Sequence, residues 1–243
     1  MPNPTAAMLV IGDEILSGRT KDTNTNYLAC ALTEAAIDLK EARVVSDEHD
    51  RIAEAVQVLS KRYDHVFTSG GIGPTHDDIT ADAIGAAFEV NVDIRDDARD
   101  LLAAHYKRQG MEFNDARKRM ARIPDGATLI ENPVSIAPGF SIGNVHVMAG
   151  VPTVFHAMVA TVLATLTGGQ PLLSETLRVY MGEGDVAGPL GILAEANQDV
   201  SLGSYPFQKD GVYGSNLVVR GTDPSRLKAV IGQLAKVLGV EHE

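Results

Sequence analysis

The stretch Thr68-Ser69-Gly70-Gly71-Ile72-Gly73-Pro74-Thr75-His76-Asp77-Asp78-Ile79-Thr80 carries the residue types from which a phosphate site is built. An apolar run, His65 to Phe67, precedes it and predicts a short buried strand; a helical pattern, Ala81 to Phe88, follows it. Three glycines at the joint let the backbone turn tightly and bring N–H groups close to a ligand. The free N–H groups and the dipole at a helix start favour an anion. No Lys or Arg occurs between Arg62 and Arg95, whereas a P-loop places Lys directly after its last glycine. Pro74, Thr75, His76 and two carboxylates stand there instead.

At ~4 Å and an effective dielectric of about 20, two like unit charges repel by roughly 4 kcal/mol. Asp77 and Asp78 beside a pyrophosphate therefore require a divalent cation between them. Mg²⁺ is typically held by one or two carboxylates plus substrate phosphates. Two readings stand at this point. One is a metal-assisted nucleotide or phosphate site. The other is a glycine-rich turn whose Asp residues cap a helix.

The elements around the stretch alternate strand and helix. Ala6 to Ile11 is an apolar run that predicts a buried first strand, followed by a polar loop, Gly12-Asp13-Glu14-Ile15-Leu16-Ser17-Gly18. Asp22 or Thr23 can cap the next helix, in which Tyr27, Leu28, Ala31, Leu32 and Ala35 recur at helical spacing. Leu39 to Val45 predicts a second strand, and Ile52, Ala55, Val56 and Leu59 the inner face of a second helix. Such alternation indicates a parallel sheet with covered faces, whose ligands sit beyond the carboxyl ends of the strands. The loops bearing Asp13-Glu14, Asp47 and Asp77-Asp78 all fall at that edge.

Residues Asp96 to Arg122 have a helical pattern and form the most basic region, with Arg95, Arg99, Lys107, Arg108, Arg117, Lys118, Arg119 and Arg122. Interleaved acids favour a solvated face; the alternative is a flap whose arginines reach a phosphate. Thr128 to Met148 holds short extended segments, with a hairpin signal at Gly143-Asn144. Pro152 suits the first turn of an apolar helix, Thr153 to Leu166. Beyond Thr167-Gly168-Gly169-Gln170-Pro171 the pattern becomes strand (176–180), helix (185–196), strand (200–207), strand (213–220), helix (224–238). Lys209-Asp210-Gly211 would turn the hairpin. The division is residues 1–167, a linker at 168–175, and a small α+β unit over 176–243.

The 243 residues carry a net charge of −11. That balance disfavours nonspecific nucleic-acid binding and docking on anionic membranes. Cys30, the only cysteine, excludes an intramolecular disulfide or a cysteine-rich metal site, and its apolar helical surroundings predict a core position. There is no basic n-region with an apolar stretch behind it and no ~20-residue apolar span, so a soluble cytoplasmic protein is expected.

Four segments together resemble the molybdopterin-binding (MoaB/Mog-like) domain family. They are Ile11 to Gly18 with Asp22-Thr23-Asn24, Thr68 through Ala83, Asn132 through Phe140, and Ala149-Gly150-Val151-Pro152. The pattern is most similar to the N-terminal region of competence/damage-inducible protein A and to the related domain of eukaryotic FAD synthase. Residues 176–238 look like the small KH-like unit that follows this domain in the competence protein. The resemblance implies a three-layer α/β/α domain around a mostly parallel sheet, with a second, smaller α+β domain. It marks Asp47 and Asp78 as catalytic, at the positions of two acids in the molybdopterin enzymes. Those enzymes carry a basic residue where this chain has Asp77, a departure that points from pterin adenylation toward a metal-dependent pyrophosphatase. Relatives with Gly-Pro-Thr-His-Asp-Asp are associated with cleaving ADP-ribose or FAD. Asp47, Asp77 and Asp78 would then hold a divalent cation, Mg²⁺ or a transition metal, or position water; a monovalent cation is a second candidate. Gly70, Gly71 and Gly73 would cradle phosphate, with Gly12, Asp13, Glu14, Ser69, Pro74, Thr75 and His76 lining the site. His76 would orient water or phosphate, or make a simple turn hydrogen bond. The ligand is a nucleotide diphosphate or molybdopterin, and a homo-oligomer, dimer or trimer, is expected.

Two further expectations follow. Ala36 stands where the family usually has a helix-ending glycine. The competence protein's C-terminal amidohydrolase domain has no counterpart before Glu243, so that activity is expected to be absent. Gly188-Pro189-Leu190-Gly191 fits the GxxG spelling of a KH loop, but no Lys or Arg lies between Arg178 and Lys209, so RNA binding is not expected.

Overall fold

A computed structural model describes residues 2–209 and 211–241. They form two units, Met1–Gly169 and Gln170–Glu243. The first unit begins with β1 (Thr5–Ile11), a helical turn α1 (Asp13–Leu16), α2 (Asn24–Glu34), β2 (Asp38–Val45) and α3 (His49–Arg62). It continues with β3 (His65–Ser69), α4 (Thr80–Phe88), β4 (Val92–Ile94), α5 (Asp96–Arg108) and α6 (Asp115–Lys118). A single 3₁₀ turn (Arg119–Ala121) leads to β5 (Arg122–Pro124), β6 (Thr128–Ile130), β7 (Gly139–Ile142), β8 (Val145–Met148) and α7 (Pro152–Leu163).

The main sheet has six strands in the order β2-β1-β3-β8-β7-β6. The first four run parallel, and β7 pairs antiparallel with both β8 and β6, so β7 alone is reversed. Successive β1 residues point to opposite faces, as a pleated strand requires. Ala7, Leu9 and Ile11 pack against α3, α4 and α5 through Ile52, Val56, Ile84 and Leu102. Ala6, Met8 and Val10 pack against α2 and α7 through Leu28, Leu32, Phe155 and Met158. Each fully buried Leu or Phe contributes about 1.5–3 kcal/mol relative to exposure. The result is the three-layer α/β/α arrangement, with its parallel strands ending together at one edge.

Four local expectations need correction. The polar loop after β1 contains the turn α1, because the Gly12 carbonyl accepts from Ile15 and Leu16 N–H. Residues 96–122 are not one helix: α5 stops at Arg108, where Gly110 takes a left-handed φ of 65°. Cys30 is exposed, not core. Finally, α4 begins at Thr80 after Ile79, with no side-chain cap, so neither Asp77 nor Asp78 caps it. Asp22, in contrast, caps α2 as expected, its Oδ1 accepting from Asn24 and Thr25 N–H at 2.9 and 3.1 Å.

The second unit comprises β9 (Leu173–Val179), α8 (Glu183–Ala196), β10 (Ser201–Lys209), β11 (Val212–Gly221) and α9 (Pro224–Leu238). Its antiparallel sheet has the order β10-β11-β9. Leu177, Leu217 and Val219 of the sheet pack with Val186 of α8 and Val230, Ile231 and Leu234 of α9. Asp223 caps α9 by accepting from Ser225 and Arg226 N–H. Lys209 pairs with Val212 across the expected hairpin; Asp210 in its turn lies outside the described residues. Gly188 to Gly191 lies inside α8, with Pro189 within the helix, so this GxxG is not a loop.

Candidate functional site

Backbone hydrogen bonds tie the carboxyl end of β1 to that of β2, and the end of β3 to that of β8. Gly12 N–H donates to the Val45 carbonyl at 3.1 Å, and Gly70 N–H donates to Met148 at 3.1 Å. Asp13 N–H donates to Asp47 Oδ2 at 2.9 Å, tying the loop after β1 to the loop after β2. Burial pushes the Asp47 carboxyl above its ordinary range; the Asp13 N–H opposes this, and the charges of Asp13, Glu14 and Asp77 reinforce it. Glu14 folds back over Gly12, where a Cβ would lie 2.6 Å from its carboxylate.

The glycine stretch is held on β3 by its own neighbours. Gly70 and Gly71 have φ of 115° and 69°, which disfavour any other residue. Thr80 N–H donates to the Gly71 carbonyl and Thr80 Oγ1 to the Gly70 carbonyl, both at 3.0 Å. At Gly73 a Cβ would lie 2.6 Å from Asp78 Oδ2. That oxygen accepts both from Thr75 N–H, at 2.7 Å, and from the Thr75 hydroxyl.

A cleft of about 730 Å³ opens over this edge. Of the expected residues, Glu14, Asp47, Gly70, Gly71, Gly73, Pro74, Asp77 and Asp78 line it. Thr75 stands behind them as the partner of Asp78, and Asp13 serves Asp47 through its backbone. Ser69 is buried and accepts from Asn24 Nδ2 at 2.8 Å. The His76 side chain is 99% exposed, 3.9 Å from the Asp77 carboxylate. Four carboxylates thus face the cleft, and among the described residues no Lys, Arg or His lines it.

Among the described residues no group of three or more His, Cys, Asp or Glu side chains is arranged to hold a metal ion. Asp47, Asp77 and Asp78 therefore do not form a standing cage. Both Thr75 bonds use Oδ2 of Asp78. Asp77 is close enough to Asp47 for its charge to raise the Asp47 carboxyl. Such a set suits an ion that arrives with phosphate oxygens and needs one or two carboxylates.

Asn132 and Asn24 were not assigned to the site from the sequence, and Arg119 was named only within the basic region whose alternative reading was a phosphate-reaching flap. Asn132 is buried and organises the loop after β6. Its Nδ2 donates to Ser135 Oγ and the Ala137 carbonyl, and its Oδ1 accepts from Val134 and Ser135 N–H. Asn132, Ser135 and Ala137 form part of the cleft wall. An Asn with a Ser three residues on is an Asx-turn signal that could have found this loop. Asn24 Nδ2 links Ser69 to the Gly150 carbonyl, both at 2.8 Å. Arg119 Nη2 donates to the Asp78 carbonyl at 3.3 Å, so one arginine of the basic region does reach the glycine stretch.

No helix among the described residues is long and apolar enough to cross a membrane. Residues 7–171 match the family model described as "Probable molybdopterin binding domain", and residues 171–242 match "FAD synthase, middle domain". A protein from Archaeoglobus fulgidus is 32% identical over 231 residues, which span 95% of this chain and 96% of its own. The "Probable FAD synthase" of Caenorhabditis elegans is 31% identical over 96% of this chain, but the match spans only 50% of that longer protein. The crystal structure of the protein CinA from Thermoplasma acidophilum superposes with a TM-score of 0.60 at 33% identity, covering 65% of this chain and 94% of that one. The chain belongs to the molybdopterin-binding domain family, with a region similar to the FAD synthase middle domain following that domain.

Proposed function

We propose that the cleft binds a nucleotide carrying a pyrophosphate, of the ADP-ribose or FAD class, and hydrolyses it with the help of a divalent cation. The observation that carries this reading is the cleft's four carboxylates and absence of a lining cation, at the glycine-rich edge of a parallel sheet. A divalent ion bound with the diphosphate would neutralise charge and polarise the phosphoryl oxygens, with Asp77 and Asp78 as its protein ligands. Asp47, with its proton affinity held up by burial, accepts a proton from the attacking water. Water oxygen bonds to phosphorus, the bridging P–O bond breaks, and two phosphomonoesters leave. Gly70 and Gly71, with positive φ, let the backbone turn tightly at the edge where the diphosphate would lie.

The test is incubation of the full chain with ADP-ribose and FAD, with Mg²⁺, Mn²⁺ or Co²⁺, and with excess chelator. Cleavage that depends on the ion supports the reading. Cleavage unchanged in chelator removes the ion from it, and tight binding without any turnover sinks hydrolysis. The lack, among the described residues, of a standing three-ligand group favours one second reading: a non-catalytic module that binds molybdopterin or a nucleotide.

A further inference from the structure

The cleft needs positive charge for a diphosphate, and none of its lining residues supplies it. Lys21 lines one neighbouring depression and Arg119 and Arg122 another. A small depression behind the glycine stretch is lined by Gly71, Gly73, Asp78, Arg119, Met120 and Arg122, among others. Gly71, Gly73, Asp78 and Met120 also line the main cleft, so the glycine stretch is the wall the two share.

The two arginines are in different states. Arg122 is fully engaged: Nη1 donates to Asp82 Oδ2 at 2.9 Å and Nη2 to Asp82 Oδ1 at 2.5 Å. This bidentate pair fixes β5 against α4, and Arg95 N–H donating to the Ala121 carbonyl at 2.9 Å fixes the turn just before it. Arg119 sits on that anchored turn and makes one long bond, to the Asp78 carbonyl, while its Nε is buried without a partner. A buried guanidinium donor without an acceptor is costly, and an oxyanion satisfies it well.

We propose that Arg119 is the anion-receiving cation of the glycine stretch, contacting a phosphate oxygen of the ligand. This rests on the nucleotide-diphosphate reading and adds to it the residue that recognises the phosphate charge. Arg122 builds the platform, and Arg119 supplies the donors. Sequence position hides the role, since 41 residues separate Arg119 from Asp78.

Calorimetry in Mg²⁺ with ADP, inorganic pyrophosphate and adenosine, on the full chain and on R119Q and R119K, tests the assignment. R119Q should weaken ADP and pyrophosphate by about tenfold to a hundredfold and leave adenosine unchanged. R119K should recover part of the loss, and added salt should narrow the gap between wild type and R119Q. Equal ADP affinity in wild type and R119Q overturns the assignment while leaving the nucleotide reading intact. So does an equal loss of ADP and adenosine accompanied by a lowered melting temperature, which assigns Arg119 to structure. Wild type that binds neither ADP nor pyrophosphate overturns both the assignment and the reading beneath it.

Discussion

Asp47 Oδ2 accepts the Asp13 N–H at 2.9 Å, so a side chain after β2 is held by the backbone after β1. The bond stabilises the ionised carboxylate, yet burial and three neighbouring negative charges outweigh it and raise the Asp47 carboxyl. A carboxylate fixed in place but reluctant to ionise is suited to exchanging a proton.

Asp78→Asn keeps an oxygen for Thr75 and removes the charge. Since α4 starts at Thr80, no helix cap is lost. The melting temperature should stay within a few degrees, because the change alters stability by less than about 1 kcal/mol. Pyrophosphate cleavage should fall by about two orders of magnitude or more. Turnover equal to wild type would confine Asp78 to the turn with Thr75.

Gly70→Ala should cost about 3 kcal/mol or more in urea unfolding. Its φ is 115°, and a Cβ there would run into the Ile11 carbonyl. Gly18→Ala is the control: φ is 72°, but nothing lies within 4 Å of the new Cβ. That variant should lose only about 1 kcal/mol. Similar losses in the two would show that β1 and the glycine stretch are not in close approach.

Burial holds His146 down from 6.5 to about 4, with the charge of His65 a smaller cause. Between those values the folded chain binds fewer protons than the unfolded chain, so stability falls as pH drops through that range. The loss reaches about 3 kcal/mol at its lower end and then stays constant. His146 Nδ1 shares a 2.9 Å hydrogen bond with Ser141 Oγ, which Gln can also make. His146→Gln should therefore show a shallower loss of stability in urea unfolding between pH 6.5 and 4. An identical slope in both proteins would place the acid sensitivity elsewhere.

Ala36, one residue past the Ala35 C-cap of α2, has a left-handed φ of 55°. Ile37 N–H donates to the Leu32 carbonyl at 2.9 Å across this turn. Ala36→Gly should stabilise the chain by about 1 kcal/mol, the steric cost of a Cβ in that region outweighing the added chain entropy. A lowered urea midpoint would mean that the buried Cβ contributes more than its strain costs.

The sheet was legible because β1 and β3 carry unbroken apolar runs and α3 has a helical period: Ile52, Ala55, Val56 and Leu59 are all buried as their spacing requires. The converging acidic loops followed from the rule for parallel strands. Cys30 was misplaced although the period spoke against a core position. It lies two residues from both Leu28 and Leu32, about 200° around the helix from each. The break after Arg108 was hidden because charged residues satisfy a helical pattern on any face. Arg119 could not be placed by local reasoning, since only the fold brings it to Asp78. The KH-like spelling in α8 shows the reverse: a short pattern matched while its backbone was helical.

Each glycine of the stretch makes room for a different part of the same protein. Gly70 admits the Ile11 carbonyl, Gly71 the Thr80 hydroxyl and Gly73 the Asp78 carboxylate. Selection for folding alone would then preserve much of this spacing. A descendant that had lost its chemistry would still keep Gly70 and Gly71, because β1 and Thr80 continue to press on them. Where folding alone is selected, Gly70 and Gly71 are therefore expected to persist whatever becomes of the carboxylates facing the cleft.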